Sequence, residues 1–203
     1  LHHHGAKSFF DVMGSSDEKL EDYILKTDYN VSLLPSNSKM ALLAKKHMRQ
    51  GDFEYLLAEK LVEVKPNFDY IIIDTPPSGD FFTLNSLLAS DLAIIPTQCE
   101  YLSLNGVEHI VRMISVINDK RGHGLQYKVL VAMYNQDITA ANVILNKLKS
   151  KYADNLLGTT ITMDGAVQES HITQKPLLYY NQQSGAAQEY VTLANELLAL
   201  RVK

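Results

Sequence analysis

The stretch FDYIIIDTPPSGD, residues 68–80, contains the feature that most constrains the fold of this chain. The run from Tyr70 to Ile73 is apolar or aromatic throughout, and Asp74 follows it directly. A strand with one face in water alternates apolar and polar residues, so an unbroken run predicts a strand that is buried on both faces. Open α/β folds bind their ligands at the carboxyl edge of the sheet. The stretch therefore predicts a parallel sheet with Asp74 at its ligand-binding edge.

The rest of the chain alternates between strand-like and helical segments, which is typical of an α/β fold with a mostly parallel sheet flanked by helices. Further strands are predicted at 30–37, 91–96, 127–134 and 156–161. Helices are predicted at 7–13, 17–26, 38–49, 52–65, 81–89, 103–120, 139–152, 165–173 and 185–201. Because no internal repeat or linker interrupts the pattern, we expect a single domain over residues 1–203. Residues 1–5, LHHHG, are either a tag remnant or a loop.

The composition excludes several classes of protein. The formal net charge of −4 gives no general attraction to nucleic acid, so any contact with DNA has to come from a local basic patch. Cys99 is the only cysteine, which excludes a disulfide framework and a cysteine-based zinc or iron–sulfur site within the chain. A cytoplasmic protein is the simplest interpretation. No apolar run approaches the roughly 20 residues that span a bilayer.

An apolar strand that ends in aspartate is the Walker B pattern of phosphate-transferring NTPases, in which the carboxylate helps to hold Mg²⁺. The residues after Asp74 form a stiff turn with two prolines and then Gly79, which suits a loop that senses a terminal phosphate. A structural alternative stays open for both features. In that alternative, Asp74 caps the next helix or turn, and the Pro-Pro segment is only a rigid connection.

These motifs resemble the ParA/Soj family of DNA-segregation ATPases, a deviant-Walker P-loop class related to MinD. Besides YIIIDTPPS (70–78), the resemblance rests on two more specific strings, PTQCEYLSLNG (96–106) and KPLLYYNQQSGAAQEY (175–190). It covers nearly the whole chain in the expected order. The end of the sequence, LLALRVK, does not resemble the amphipathic membrane helix of MinD, which favours ParA and predicts no membrane partner.

One expected element is missing from the sequence. A family member should contain a first strand and a glycine-rich loop of the form KGGxGK[ST], whose N–H groups and lysines hold the phosphates. The nearest candidate, KRGHG (120–124), lacks the final Lys-Ser/Thr. We therefore expect a P-loop NTPase fold without its first strand and P-loop, and a chain that is inactive as an ATP hydrolase by itself. Three explanations stay open: a fragment of a longer ATPase, which we favour, a degenerate member that works without ATP, and a partner chain that supplies the strand.

The resemblance implies which residues form the nucleotide site. Asp74 would support Mg²⁺ through a water molecule, next to the switch formed by Thr75, Pro76, Pro77 and Gly79. The family usually reads PPSLG where this chain reads PPSGD, so Gly79 lies one position early. The adenine pocket of the relatives corresponds here to two loops, with the residues Met133, Tyr134, Asn135, Thr162, Met163 and Asp164. The second loop departs from the Pro-Arg-Asn of the family, and in the alternative interpretation Met133 and Tyr134 only pack the end of a strand.

The resemblance also implies contacts with other macromolecules. Gln98, Glu100 and Tyr101 would touch the nucleotide or a dimer partner. DNA binding in the family is independent of sequence and relies on basic side chains that neutralise phosphates. The candidates are Lys147, Lys149, Lys151, Arg201 and Lys203. Lys147 and Lys151 are four residues apart and share a helix face, although a merely solvated face is the alternative, and the basic cluster at 44–50 is open to both interpretations.

The function implied by the resemblance is partitioning of a plasmid or chromosome in a prokaryotic cell. ATP with Mg²⁺ would drive homodimerisation, the dimer would bind nonspecific DNA on the nucleoid, and a ParB-like adaptor would stimulate hydrolysis to ADP. Two alternatives stay open: a non-catalytic scaffold or regulatory protein with the same fold, and another ATPase of the superfamily that acts in cellulose synthesis or flagellar placement.

Overall fold

The computed structural model describes residues 8–13, 18–48, 54–76, 81–121 and 124–200. Contacts between residues divide the chain into two compact units, residues 1–90 and 91–203, and each unit is described by itself. The single domain over residues 1–203 stays a prediction.

The first unit consists of short helices and one small hairpin. Its described elements are α1 (Phe9–Met13), a 3₁₀ helix (Leu20–Tyr23), β1 (Leu25–Lys26), β2 (Ser32–Leu33), α2 (Met40–Met48), α3 (Leu56–Leu61), a second 3₁₀ helix (Lys65–Asn67) and α4 (Phe81–Ala89). Helix α4 has the predicted bounds. Helices α1, α2 and α3 confirm the helices predicted at 7–13, 38–49 and 52–65. Each is shorter than predicted, and α3 differs most from its predicted length.

Between α1 and α2, the predicted strand at 30–37 is present in shortened form as β2, whereas the predicted helix at 17–26 is wrong. A 3₁₀ helix leads into β1, which pairs antiparallel with β2 over two residues of each strand. Asn30 has a φ of 55°, in the left-handed region that asparagine tolerates. The backbone N–H and the hydroxyl of Thr27 both donate to the carbonyl of Val31, at 3.2 and 2.6 Å. The chain reverses through this local turn chemistry, which hydrophobic periodicity does not detect.

The predicted buried strand from Tyr70 to Asp74 is wrong for this structure. Residues 70–76 belong to none of the strands in the described part of the chain. The side chains of Tyr70 and Ile72 are 68% and 92% exposed, and only Ile73 packs against the core of the first unit. An apolar run is not sufficient for a strand, because a strand also needs a partner that accepts and donates its ladder hydrogen bonds. Among the described residues of this unit, strand pairing is confined to β1 and β2.

The core of the first unit is small and is held together by buried polar contacts as well as by apolar packing. Val12, Leu20, Leu57 and Leu61 form its centre, together with Tyr23. The Tyr23 hydroxyl donates to the Glu18 carboxylate at 2.6 Å, and this hydrogen bond raises the pKa of Tyr23 to about 12.

Helices α3 and α4 are connected by a buried asparagine. The side-chain oxygen of Asn85 accepts from the backbone N–H of Leu57 at 3.2 Å, in the first turn of α3. Its amide nitrogen donates to the carbonyl of Phe81 at 3.0 Å. Residue Tyr55, at the N-cap of α3, makes no side-chain cap, so the distant Asn85 satisfies a free donor at the start of that helix.

The second unit is built on a parallel sheet. Its described elements are β3 (Leu92–Thr97), α5 (Tyr101–Arg121), β4 (Gln126–Tyr134), α6 (Thr139–Lys151), β5 (Leu156–Thr162), α7 (Gly165–Ile172), α8 (Leu177–Tyr180) and α9 (Gly185–Ala199). The strand order is β3-β4-β5, and both pairs are parallel. Three predicted strands and four predicted helices are thereby confirmed within a few residues, whereas the sequence pattern did not predict α8.

Both faces of β4 are buried at its centre, as the apolar run from Val129 to Val131 requires. Val129 and Val131 lie on one face and are almost inaccessible to solvent. On the other face, Leu130 packs with Leu157 and Ile161 of β5 and with α9, through the side chains Ala186 and Leu193. Helix α5 lies against β3. Helices therefore cover both faces of the sheet at the centre of β4, whereas Ile94 and Pro96 on one face of β3 are exposed to solvent.

Two glutamates of α9 cover the outer edge of β5. Glu196 accepts from the backbone N–H groups of Gly158 and Thr159, at 2.7 and 2.9 Å, and from the Thr159 hydroxyl at 2.6 Å. Glu189 accepts from the N–H and the hydroxyl of Thr162. Burial by itself raises the pKa of Glu196, but the hydrogen bonds from Thr159 and Gly158 outweigh it and leave the pKa below its usual value. The glutamates satisfy donors that would otherwise invite pairing with another chain.

We expect Glu196→Ala to lower the free energy of unfolding by about 1–3 kcal/mol, because the substitution leaves backbone donors of β5 without a charged acceptor. Urea titration followed by circular dichroism measures the change. Asn195→Ala, at the exposed neighbouring position of α9, is the matched control. Equal urea midpoints for the two variants would show that Glu196 does not stabilise the edge.

Candidate functional site

The loops after all three strands of the second unit meet in one groove of about 670 Å³. Because the strands are parallel, their carboxyl ends share an edge of the sheet, and α6 supplies the other wall of the groove. The sequence-predicted residues that line it are Gln98, Glu100, Tyr101, Met133, Asn135, Lys147 and Met163. A groove of this size, with few polar groups on an apolar wall, is typical of a small-molecule site.

The walls of the groove are mainly apolar and rich in sulfur. Met133 and Met163 remain about half exposed, at 49% and 59%, whereas Cys99 is buried. Burial raises the pKa of the Cys99 thiol, which favours the neutral thiol over the reactive thiolate. Sequence interpretation did not identify the aliphatic wall of α6, formed by Ile138, Val143 and Ile144. The one indication of this wall in the sequence is the helical spacing of the apolar residues in α6.

Met133 is held in an unusual backbone conformation at the end of β4. Its φ is 54°, in the left-handed region that non-glycine residues seldom adopt. The Gln98 amide nitrogen donates to the Met133 sulfur at 3.2 Å, which connects the loops after β3 and β4. Backbone strain of this kind concentrates at functional sites. The position of the Met133 side chain on the groove therefore depends on a local bend that the protein maintains.

Tyr134 and Asn135 fix the loop between β4 and α6. The Tyr134 hydroxyl donates to the side-chain oxygen of Asn142 in α6, and the Asn142 amide donates to the carbonyl of Gln136 at 2.8 Å. Asn135 accepts from the backbone N–H of Asp137 at 2.9 Å. Tyr134 is thus engaged with α6, while Asn135 both shapes the turn and borders the groove.

Asp164, predicted in the adenine pocket, is engaged by the N termini of two helices. One carboxylate oxygen accepts from Ala166 N–H of α7 at 2.9 Å, and the other accepts from Ala186 N–H of α9 at 3.0 Å. These hydrogen bonds, that from Ala186 first, hold the pKa of Asp164 below its usual value. The backbone N–H of Thr162 likewise donates a hydrogen bond to the Glu189 carboxylate. Both residues therefore support the loop that carries Met163.

The predicted switch lies in the first unit. Asp74, Thr75 and Pro76 are exposed, and Pro77 and Gly79 lie outside the described residues. The Walker B role of Asp74 and the switch role of Thr75, Pro76, Pro77 and Gly79 stay predictions. Among the described residues, no three His, Cys, Asp or Glu side chains are grouped so that they could hold a metal ion.

The predicted DNA-binding lysines of α6 have different surroundings. Lys147 lines the groove, and Lys149 is exposed. Lys151 forms an ion pair with Glu108 of α5, and the hydrogen bond in this pair raises the pKa of Lys151 and lowers that of Glu108. Arg201 and Lys203 lie outside the described residues. None of the helices that the structure describes is long and apolar enough to cross a membrane.

Comparison with known proteins assigns the chain to a family. A family model described as an AAA domain matches residues 2–129, more than half of the chain. The sporulation initiation inhibitor protein Soj of Bacillus subtilis is 28% identical over 191 residues, which are 94% of this chain and 76% of that protein. The chain belongs to the AAA-domain family and to its ParA/Soj branch. The family predicted from the sequence is thereby confirmed.

A further relative and a solved structure show how much of each chain the similarity covers. An uncharacterized protein of Pseudomonas putida is 34% identical over 167 residues, 82% of this chain and 64% of that protein. A crystal structure described as cobyrinic acid a,c-diamide synthase from Mycobacterium smegmatis, with bound ATP analogue and magnesium, superimposes with a TM-score of 0.78 at 27% identity. It covers 95% of this chain and 72% of that one. The predicted P-loop NTPase fold is confirmed, and the predicted ligands are those of this neighbour. The chain spans about two thirds to three quarters of the length of these three proteins.

We expect Asp164→Asn to destabilise the second unit by about 1 kcal/mol at neutral pH, because the carboxylate caps two helices. The folded-state pKa of Asp164 lies below its unfolded value, so this contribution is present above about pH 4 and is lost as the pH falls through the folded-state pKa. Urea titrations at several pH values measure it. Asp154→Asn, the same charge change at an exposed position, is the control. A difference between the variants that stays constant down to pH 2 would contradict the role of the charge.

Proposed function

We propose that this chain is part of a ParA-type ATPase that partitions plasmid or chromosomal DNA. One observation carries the proposal. In a member of the ParA/Soj branch, one groove at the carboxyl edge of the sheet is lined from three separate loops by residues that the family resemblance assigned either to the adenine pocket or to contacts with the nucleotide or a dimer partner: Gln98, Glu100, Tyr101, Met133, Asn135 and Met163. Open α/β folds bind nucleotides at this edge. The position of the groove and the family membership therefore support the same function.

The groove fits the base of ATP. Thioethers are polarizable and apolar, and those of Met133 and Met163 suit the face of a planar base. The amides of Gln98 and Asn135 lie on the same groove and can donate to or accept from polar atoms at its rim. The structural neighbour with 27% identity binds an ATP analogue with magnesium, which supports the same ligands here.

Magnesium and the phosphates require other groups. Asp74 offers an exposed carboxylate, the kind of oxygen ligand that Mg²⁺ prefers, and is the candidate magnesium ligand. Bound Mg²⁺ supplies positive charge against the phosphate oxygens. The sequence contains no KGGxGK[ST] string, so no residue of this chain is assigned to the cradle of the phosphates.

The remaining parts of the proposal concern macromolecular partners. ATP-bound copies form a homodimer, the dimer binds DNA without sequence preference through basic side chains that include those of α6, and a ParB-like adaptor stimulates hydrolysis. The names of the relatives support a role in partitioning. A relative in Myxococcus xanthus is named chromosome partitioning protein ParA, and one in Treponema pallidum is named chromosome-partitioning ATPase Soj.

A second candidate is a non-catalytic scaffold with the same fold. The observation that favours it is the segment at 70–76, which lies outside the described strands, with Asp74 exposed at its end. A Walker B carboxylate depends on a strand to hold it rigidly beside the metal. A protein that lacks this support keeps the interaction surfaces of the fold but does not hold the metal that ATP hydrolysis requires.

Thermal unfolding of the full-length protein with ATP and Mg²⁺ distinguishes the two candidates. A nucleotide-binding protein gains about 2.7 kcal/mol at a ligand concentration of 100 times Kd. We expect Met133→Glu to weaken binding at least tenfold and so to reduce the gain by about 1.4 kcal/mol, because it places a charge against the base. Val116→Glu, on an exposed position of α5, should behave like the unmodified protein.

The outcomes separate the candidates. No stabilisation of the unmodified protein by ATP would support the scaffold. Stabilisation that Met133→Glu and Val116→Glu leave equally unchanged would mean that the nucleotide binds away from the groove.

A further inference from the structure

A cluster of three charged side chains connects α5 and α6. Each oxygen of the Glu108 carboxylate is paired with a different cation: one with Arg112, at 3.3 Å, and the other with Lys151. Arg112 lies one turn after Glu108 on α5, and Lys151 is the last residue of α6. The cluster therefore combines a spacing of four residues on one helix with an ion pair between residues that are 43 positions apart.

The two cations are accessible to a large partner, and the carboxylate between them is less so. The side chains of Arg112 and Lys151 are 80% and 52% exposed, whereas that of Glu108 is 33% exposed. Guanidinium and ammonium groups carry several N–H donors each, and Glu108 occupies one donor of each cation. Both side chains therefore keep donors directed to solvent, and the cluster as a whole has a net positive charge.

This arrangement suits a ligand that carries anionic oxygens along its length. Arginine and lysine bind phosphate oxygens through charge-assisted hydrogen bonds. A phosphodiester backbone presents such oxygens without reference to base sequence. The Glu108 carboxylate accepts from the same donors, so it competes with a phosphate for both cations. Its pKa is lowered, first by the hydrogen bond from Lys151, which keeps it charged near neutral pH.

We propose that Arg112 and Lys151 together bind the phosphodiester backbone of double-stranded DNA, and that Glu108 limits the affinity of this surface by competing with phosphate for both cations. The inference rests on the proposed DNA-binding function and adds two residues of α5 to it. Arg112 increases the affinity for DNA, a role that the sequence did not indicate, and Glu108 decreases it. Lys151 acquires a defined role within the basic helix.

The test measures the affinity of the full-length protein, with ATP and Mg²⁺, for a fluorescent DNA duplex of arbitrary sequence over a series of salt concentrations. Glu108→Gln removes the competing charge at nearly constant volume. We expect it to tighten binding about two- to fivefold, the effect of a single exposed ion pair. Arg112→Gln and Lys151→Gln should each weaken binding and reduce the salt slope by about 0.9 for each DNA phosphate that is no longer neutralised.

Matched controls separate this effect from net charge. Glu63→Gln and Lys26→Gln make the same charge changes at exposed positions of the first unit, and we expect them to leave affinity and slope unchanged. If Glu108→Gln matches Glu63→Gln, and Arg112→Gln and Lys151→Gln match Lys26→Gln, the inference is wrong while DNA binding stands. If the unmodified protein does not bind the duplex, both the inference and the proposed DNA binding are wrong. Equal melting temperatures of the variants confirm that all of them are folded.

Discussion

The parallel pairing of β3, β4 and β5 is the interaction on which the rest of the second unit depends. Tyr134 lies opposite Thr162, so β4 and β5 end at the same level, and β3 ends at the same edge of the sheet with Thr97 opposite Val131. The loops that follow them are therefore neighbours, although they are far apart in the chain. Burial of Val129 and Val131 on one face and of Leu130 on the other stabilises this register. Each fully buried aliphatic side chain contributes about 1.5–3 kcal/mol.

Helix α9 completes the arrangement from the side of β5. Its two glutamates satisfy the outer donors of that strand, and its first turn is capped by Ser184 and by Asp164, which lies in the loop between β5 and α7. Asp164 also caps α7, so one carboxylate determines where both helices start relative to the end of β5. Met163 is the residue directly before this cap. Its position on the groove is thus a consequence of helix capping.

The sequence allowed the second unit to be predicted well because its signals are local. The apolar runs of β3 and β4 and the periodicity of α6 and α9 lie within the segments that they describe. The failures have a different cause. Tyr70 to Ile73 have the composition of a buried strand, but a strand forms only with a ladder partner, and the segment itself carries no information about that partner. Thr27 and Asn30 form a turn between the predicted helix at 17–26 and the observed strand β2, and hydrophobic periodicity does not detect this turn chemistry.

The candidate site shows the same limit. The correspondences with the family's adenine-pocket loops indicated Met133, Asn135 and Met163, and all three line the groove. They did not indicate that Asp164 and Thr162 are occupied by hydrogen bonds within the protein, since Ala186 and Glu189 are 22 and 27 positions away. Likewise, Glu108 and Arg112 can be recognised as a helical pair from their spacing, whereas the ion pair with Lys151 depends on how α5 and α6 pack.

Photolabelling tests most directly whether the carboxyl edge of this sheet receives the base of a nucleotide. The full-length protein would be irradiated with 8-azido-ATP and Mg²⁺, digested, and mapped by mass spectrometry, with excess ATP as competitor. If the base lies in the groove, we expect label on the peptides that contain Met133 or Met163, and loss of this label when ATP is in excess. Competable label confined to peptides outside residues 91–203 would contradict it.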